Sequence, residues 1–189
     1  MDDRRARAYA AEGAVWSRLA ALLPTAEDVD EVQACWDIGE QEGGLDALVG
    51  RLLELGLPIG GLERAELAVM AGQWGMWDPL GARIVACAGE PGLLRVFEDG
   101  ARKTLDVRSV VPGRPSAGSV LVPWIGCVGC GVCLGRVHTR EKWGGLSFVA
   151  ESYVVFGTER PPEPRVFDRE EHGAVWSALD AVRGGCACR

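Results

Sequence analysis

Lysine and histidine are scarce in this chain. Of its 20 basic residues only Lys103 and Lys142 are lysine, and His138 and His172 are its two histidines. The arginine bias reads as codon usage in a GC-rich genome and carries no functional meaning. With two histidines, a nucleophile–base pair is limited to combinations such as Cys133 with His138, and no family motif surrounds that pair. No P-loop, G-x-S-x-G, H-E-x-x-H or strand-linked G-x-G-x-x-G is present, which removes the common phosphate-binding, hydrolase, metalloprotease and dinucleotide classes. The deaminase pattern P-C-x-x-C is missing because Gly126 precedes Cys127. Seven cysteines in 189 residues are too few for a disulfide scaffold. The 26 glycines and 10 prolines follow no G-X-Y period and no internal repeat, so they mark turns rather than a fibre.

Basic charge is also in deficit. The 27 acidic residues outweigh the bases to leave a net charge of −7, which excludes a general electrostatic attraction for nucleic acid or anionic lipid. The start, Met1-Asp2-Asp3-Arg4-Arg5, is not followed by an apolar segment with a cleavage site, which predicts a cytoplasmic protein with reduced thiols. One uncharged run, residues 115–135, is long enough to span a bilayer. Its two prolines, five glycines and two serines read instead as a buried strand, Ser119 to Trp124, entering a tight cysteine-bearing loop.

What is present is a globular composition, 48% hydrophobic and 25% charged. Charge and cysteine divide it. Residues 1–80 hold 15 acids and 6 bases, whereas residues 81–189 hold 12 acids and 14 bases. Five of the seven cysteines, Cys127, Cys130, Cys133, Cys186 and Cys188, lie in the last third, while Cys35 and Cys87 sit in apolar periodic stretches and read as core.

Hydrophobic period divides it the same way. Spacings of three and four predict helices over residues 4–23, from Thr25 (capped T-x-x-D) to Gly39-Glu40, from Leu45 to Leu55 after a Gly43-Gly44 break, and from Leu62 to Trp74. Beyond Asp78-Pro79 the period shortens. Strands are expected at 83–87, 93–97, 105–111, 119–124 and 146–156, with a hairpin turn at Trp143-Gly144-Gly145 and tryptophans 124 and 143 in a small core. An extended 160–165 linker and a last helix from Asp168 to Gly184-Gly185 complete the pattern. The expected fold is α+β: an N-terminal helical bundle over 1–80, then a small antiparallel β-rich half with a C-terminal helix over 81–189.

The segment Asp37-Ile38-Gly39-Glu40-Gln41-Glu42-Gly43-Gly44-Leu45-Asp46-Ala47-Leu48-Val49, with its Gly-Glu before a leucine-striped helix and then Leu57-Pro58-Ile59, resembles the small helical MafI-type immunity proteins of bacterial polymorphic toxin systems. The likeness covers residues 27–77. It implies a non-catalytic module that neutralises a toxin, and it implies nothing about residues 81–189. The charge supports such a partner independently. Asp30, Glu31, Asp37, Glu40, Glu42 and Asp46 concentrate negative potential that steers toward a basic protein, and nuclease toxins are basic because they bind phosphate. The same acids also suit an ordinary solvated helix surface, with Glu40 capping the next helix.

The second signal is Cys127-Val128-Gly129-Cys130-Gly131-Val132-Cys133. Thiolates two residues apart on a glycine-containing turn converge on one metal ion. Three readings stay open. The run resembles a ferredoxin loop, which implies an iron–sulfur cluster, but it lacks the following Cys-Pro. Zinc is the second, with Cys127 and Cys130 as one knuckle, Cys186 and Cys188 closing the site, and Cys133 or His138 as alternative ligands. The third is no metal, the cysteines packing as small hydrophobes. A binding module is expected ahead of a metalloprotein, and both ahead of an enzyme.

Overall fold

A computed structural model of the chain describes residues 3–90, 92–112, 118–157, 163–186 and 188. The layout is α+β, with helices first, then an antiparallel sheet and a terminal helix. Two compact units form, Met1–Pro91 and Gly92–Arg189.

The first unit holds α1 (Asp3–Ala20), α2 (Ala26–Ile38), α3 (Gln41–Glu54), α4 (Gly61–Gln73) and α5 (Trp77–Ala86). Thr25 caps α2 as its pattern predicts, its hydroxyl accepting from the Asp28 N–H at 3.1 Å. Trp16, Leu19, Leu45, Leu48, Leu52, Leu67, Met70, Leu80 and Ile84 are fully enclosed and make the core of this unit. Beside them, Trp16, Trp36 and Trp74 lie within 6.2 Å of one another, ring centre to ring centre, and Tyr9 stacks on Trp36 at 4.7 Å.

Two expectations are corrected here. Gly43-Gly44 does not interrupt the chain, because α3 begins at Gln41 and runs through both. Gly44 is a contact residue: a β-carbon there would lie 2.6 Å from the Cys35 Cβ and 2.8 Å from the Trp16 ring, so the missing side chain lets α3 approach α1 and α2. Residues 83–86 belong to a helix, α5, not a strand, and Cys87 is its C-cap. Pro79 falls in the first turn of α5, where its missing N–H costs nothing, and α5 packs on α3 and α4. The unit boundary therefore falls after residue 91 rather than after residue 80.

The second unit is a sheet of β1 (Leu94–Val96), β2 (Leu105–Asp106), β3 (Ser119–Cys127), β4 (Cys133–Thr139), β5 (Ser152–Phe156) and β6 (Arg165–Asp168). Its order is β1-β3-β4-β5-β6, with β2 also on β3. From Ser119 onward the uncharged run forms the β3–β4 hairpin, whose pairing runs from Ser119 with Thr139 to Gly126 with Cys133; residues 115–117 lie outside the described residues. No helix among the described residues is long and apolar enough to cross a membrane.

One sheet face carries Phe97, Val107, Leu121, Cys133, Val137, Val154 and Phe156 as a continuous apolar cluster. Side chains alternate between faces along a strand, so Leu134, Arg136, Tyr153 and Val155 belong to the other. On that side Arg136 is buried, pairs with Asp99 and lies 4.9 Å over the Trp124 ring. The last helix, α7 (Ala174–Gly185), packs on β4, β5 and β6 through Ala174, Val175, Ala178, Leu179 and Val182.

Several local expectations shift. Residues 107–110 form a short helix, α6 (Val107–Val110), capped by Asp106, in place of the second half of a strand. The strand expected over 146–156 is confined to Ser152–Phe156. Asp168 ends β6 instead of capping the last helix, which starts after Gly173. Part of the 160–165 linker lies outside the described residues; its end, Arg165, opens β6. The Trp143-Gly144-Gly145 turn does form, with Arg140 bridged to Leu146, but Trp143 is 77% exposed and so is not core, unlike Trp124.

Candidate metal centre

The cysteine run is split by a strand boundary, and that boundary sorts its residues. β3 ends at Cys127 and β4 starts at Cys133. Between them the chain turns tightly: the Gly131 N–H donates to the Cys127 carbonyl at 3.0 Å, and the Cys127 N–H to the Val132 carbonyl at 2.8 Å. Cys127 and Cys130 stand on this turn. Cys186 follows directly on the Gly184-Gly185 end of α7, with Cys188 two residues on. Because α7 packs along β4 and β5, its end returns to the β3–β4 turn.

The four sulfurs of Cys127, Cys130, Cys186 and Cys188 all lie within 4.8 Å of one another, and among the described residues this is the one group of metal-ligating side chains so placed. The Cys127 and Cys186 sulfurs are 3.2 Å apart, and those of Cys130 and Cys186 3.6 Å. Sulfurs bound at about 2.3 Å to a tetrahedral ion are about 3.8 Å apart, so the cluster needs only small adjustments to enclose one. All four are free thiols; Cys127 is buried and the other three are half-buried. A β-carbon on Gly129 would lie 2.5 Å from the Cys188 sulfur and 3.8 Å from that of Cys127, so the fourth sulfur occupies space that only glycine leaves open.

The electrostatics suit a site for a cation. Burial opposes ionisation of Cys127, but the backbone N–H groups of Cys130 and Gly129 and the thiol of Cys186 donate to its sulfur, and together they bring it down to about 7. The shared proton is held on Cys186, pushed up to about 12 chiefly by its bond to Cys127. Cys188 is raised as well, by burial first and then by its bond to Cys127. The thiolate form of Cys127 is thereby favoured, held by its neighbours' protons. A divalent ion would displace those protons.

Two of the six residues expected as ligands lie elsewhere. Cys133 points into the apolar cluster of the sheet, where burial raises its thiol to about 11. His138 is buried, its Nδ1 2.8 Å from the Ser147 carbonyl oxygen. The two are five residues apart on β4, about 16 Å along the strand and on opposite faces, so they form no nucleophile–base pair. Cys35 and Cys87 belong to the helical unit, and Cys87 is buried as expected. The role of Gly129 was not legible from spacing, since its neighbour Cys188 is distant in sequence.

The acidic residues singled out by sequence, Asp30, Glu31, Asp37, Glu40, Glu42 and Asp46, are all exposed, on α2, α3 and the link between them. Asp46 is paired with Arg83. Glu40 sits at the N-cap of α3 but makes no side-chain capping bond, so the capping role expected for it is not realised.

No family model, no curated protein and no solved structure matches this chain.

Proposed function

We propose that the protein is a metalloprotein whose β-rich unit holds one structural zinc ion on Cys127, Cys130, Cys186 and Cys188. The observation that carries this is the convergence of four sulfurs within 4.8 Å from two segments remote in sequence. Four thiolates make a closed set with no open position for substrate, which suits a structural rather than a catalytic ion. The cysteinyl sulfurs of an iron–sulfur cluster bind different irons and stand farther apart than the ligands of one ion, so this spacing favours a single ion. The ion ties the end of α7 to the β3–β4 turn, a staple of value in a unit of fewer than a hundred residues. A reducing compartment, the cytoplasm, suits a site that needs four reduced thiols.

Elemental analysis and an absorption spectrum of the freshly purified chain test this. About one zinc per chain in colourless protein is expected; less than about 0.2 metal per chain would sink the proposal, because a structural site is nearly filled. Visible charge-transfer bands with iron in place of zinc would reassign the metal.

A second reading concerns the helical unit, and the exposure of all six acidic residues favours it. In this reading the unit binds a basic protein, as the resemblance to MafI-type immunity proteins implies, by occluding a toxin. Ile38, 73% exposed at the end of α2, supplies an apolar anchor within the acidic rim. Pull-down against toxins encoded beside the gene tests it. Failure of all of them to bind, with no basic partner recovered, would remove it.

A further inference from the structure

Four thiolates around one ion make a staple that oxidation can dismantle. Here their unequal placement suggests what replaces it. Cys186 is half-buried, its sulfur 3.2 Å from that of Cys127 and 3.6 Å from that of Cys130, with the Cys188 sulfur also within 4.8 Å. Cys127 is buried at the end of β3, held at its backbone by Val132 and Gly131. Cys186 instead follows Gly184 and Gly185, and a β-carbon on either glycine would meet nothing within 4 Å. One partner of the 3.2 Å sulfur pair is therefore fixed, and the other follows a segment bordered by open space.

We propose that the centre is a peroxide-responsive switch in which a Cys127–Cys186 disulfide replaces the metal as the staple between α7 and the β3–β4 turn. This rests on the zinc reading above. A hydroperoxide is the oxidant. Cys186, a thiolate when it ligates the ion, attacks its outer oxygen, the O–O bond breaks, and the leaving alkoxide or hydroxide takes one proton, leaving Cys186 as a sulfenic acid. The Cys127 thiolate then attacks the Cys186 sulfur, the S–O bond breaks, and the departing hydroxide takes a second proton to become water. Two thiolates lose two electrons in all, and the peroxide is reduced to an alcohol or water plus water. The ion, left with Cys130 and Cys188, dissociates.

The outcome is specific. The new bond joins residues 59 apart in sequence, the same two elements that the ion joins, so the sheet and α7 stay tied. Cys188 is released from its place beside Gly129. The switch thus exposes the Cys130 and Cys188 thiols without unfolding the unit. Cys133 and Cys87, both buried, take no part.

The test uses the 189-residue chain. Zinc content is measured first; the protein is then treated with hydrogen peroxide, freed zinc is read with a chromogenic chelator, and the disulfides are mapped by mass spectrometry. The expected result is release of about one zinc per chain with a Cys127–Cys186 link and a loss of about 2 Da. Zinc-stripped, reduced chain treated in the same way gives the same link, more slowly. Zinc retained through the oxidation of Cys35 would overturn the switch, and so would sulfinic acid at Cys186 or a Cys127–Cys130 link. A chain that holds no zinc at the outset defeats the zinc reading instead. The map of the stripped chain decides the pairing in that case too.

Discussion

Gly129 and Cys188 are neighbours at van der Waals range: the α-carbon of the one leaves the space that the sulfur of the other fills, with 2.5 Å between that sulfur and the β-carbon an alanine would carry. The fourth ligand thus depends on a residue that ligates nothing. Gly129→Ala is expected to weaken zinc binding by about 10–100-fold, the usual cost of disturbing a ligand's support. Gly129 does not have a positive φ, so the effect is steric and not backbone strain. Competition with a chromogenic chelator measures it, and an unchanged affinity would show that Cys188 is not a ligand.

Removing the metal is expected to destabilise only the β-rich unit. At free zinc a thousandfold above Kd the ion contributes about 4 kcal/mol. Hydrogen exchange after chelation should show faster exchange in α7 and the β3–β4 hairpin, with the amides of α1 to α5 unchanged. Equal loosening of both units would contradict a local staple.

Cys133 serves packing, and its substitutions separate it from the ligands. Cys133→Ala should leave zinc content unchanged, whereas Cys133→Ser buries a hydroxyl in the apolar cluster at a cost of about 1–3 kcal/mol. Its thiol also gives stability a pH dependence. The folded state raises it from 9.0 to about 11 through burial, so the neutral form is favoured by folding. That contribution is complete below pH 9 and is lost as pH rises to about 11, amounting to about 2–3 kcal/mol over the window. Denaturant titrations of the wild type and Cys133→Ala should diverge by this slope between those pH values and run parallel below them.

Two adjacent glycines of α3 should respond in opposite directions. Gly44→Ala drives a β-carbon into Cys35 and the Trp16 ring and is expected to cost about 1–3 kcal/mol. Gly43→Ala meets nothing within 4 Å and should stabilise the helix by about 0.5–1 kcal/mol. Urea unfolding followed by tryptophan fluorescence reports both.

Long periodic segments were legible in the sequence. The stripe of Leu45, Leu48, Val49 and Leu52 makes a helix face wherever it packs, and Thr25 caps because its hydroxyl bonds to the same segment's Asp28 N–H. Residues 83–86 and 107–110 are helical where their sequence predicts strands, since a short apolar run carries too little period to separate helix from strand. Trp143 was misplaced in a core for a related reason: an indole's burial depends on what lies across from it, not on its neighbours in the chain.

The centre divides along the same line. Sequence alone determined that Cys127 and Cys130 share a turn, because C-x-x-C with glycine is a local geometry set by a handful of backbone angles. It also supplied the second pair, Cys186 and Cys188, as candidates. Only the tertiary structure selected among the rest. The alternation of side chains along β4 sends Cys133 into the apolar cluster, His138 finds its partner in Ser147, and the packing of α7 on the sheet brings residues 186 and 188 back to the turn. Which sulfurs meet is a question of how strands and helices stack, and that depends on contacts between residues far apart in the chain, which no local pattern encodes.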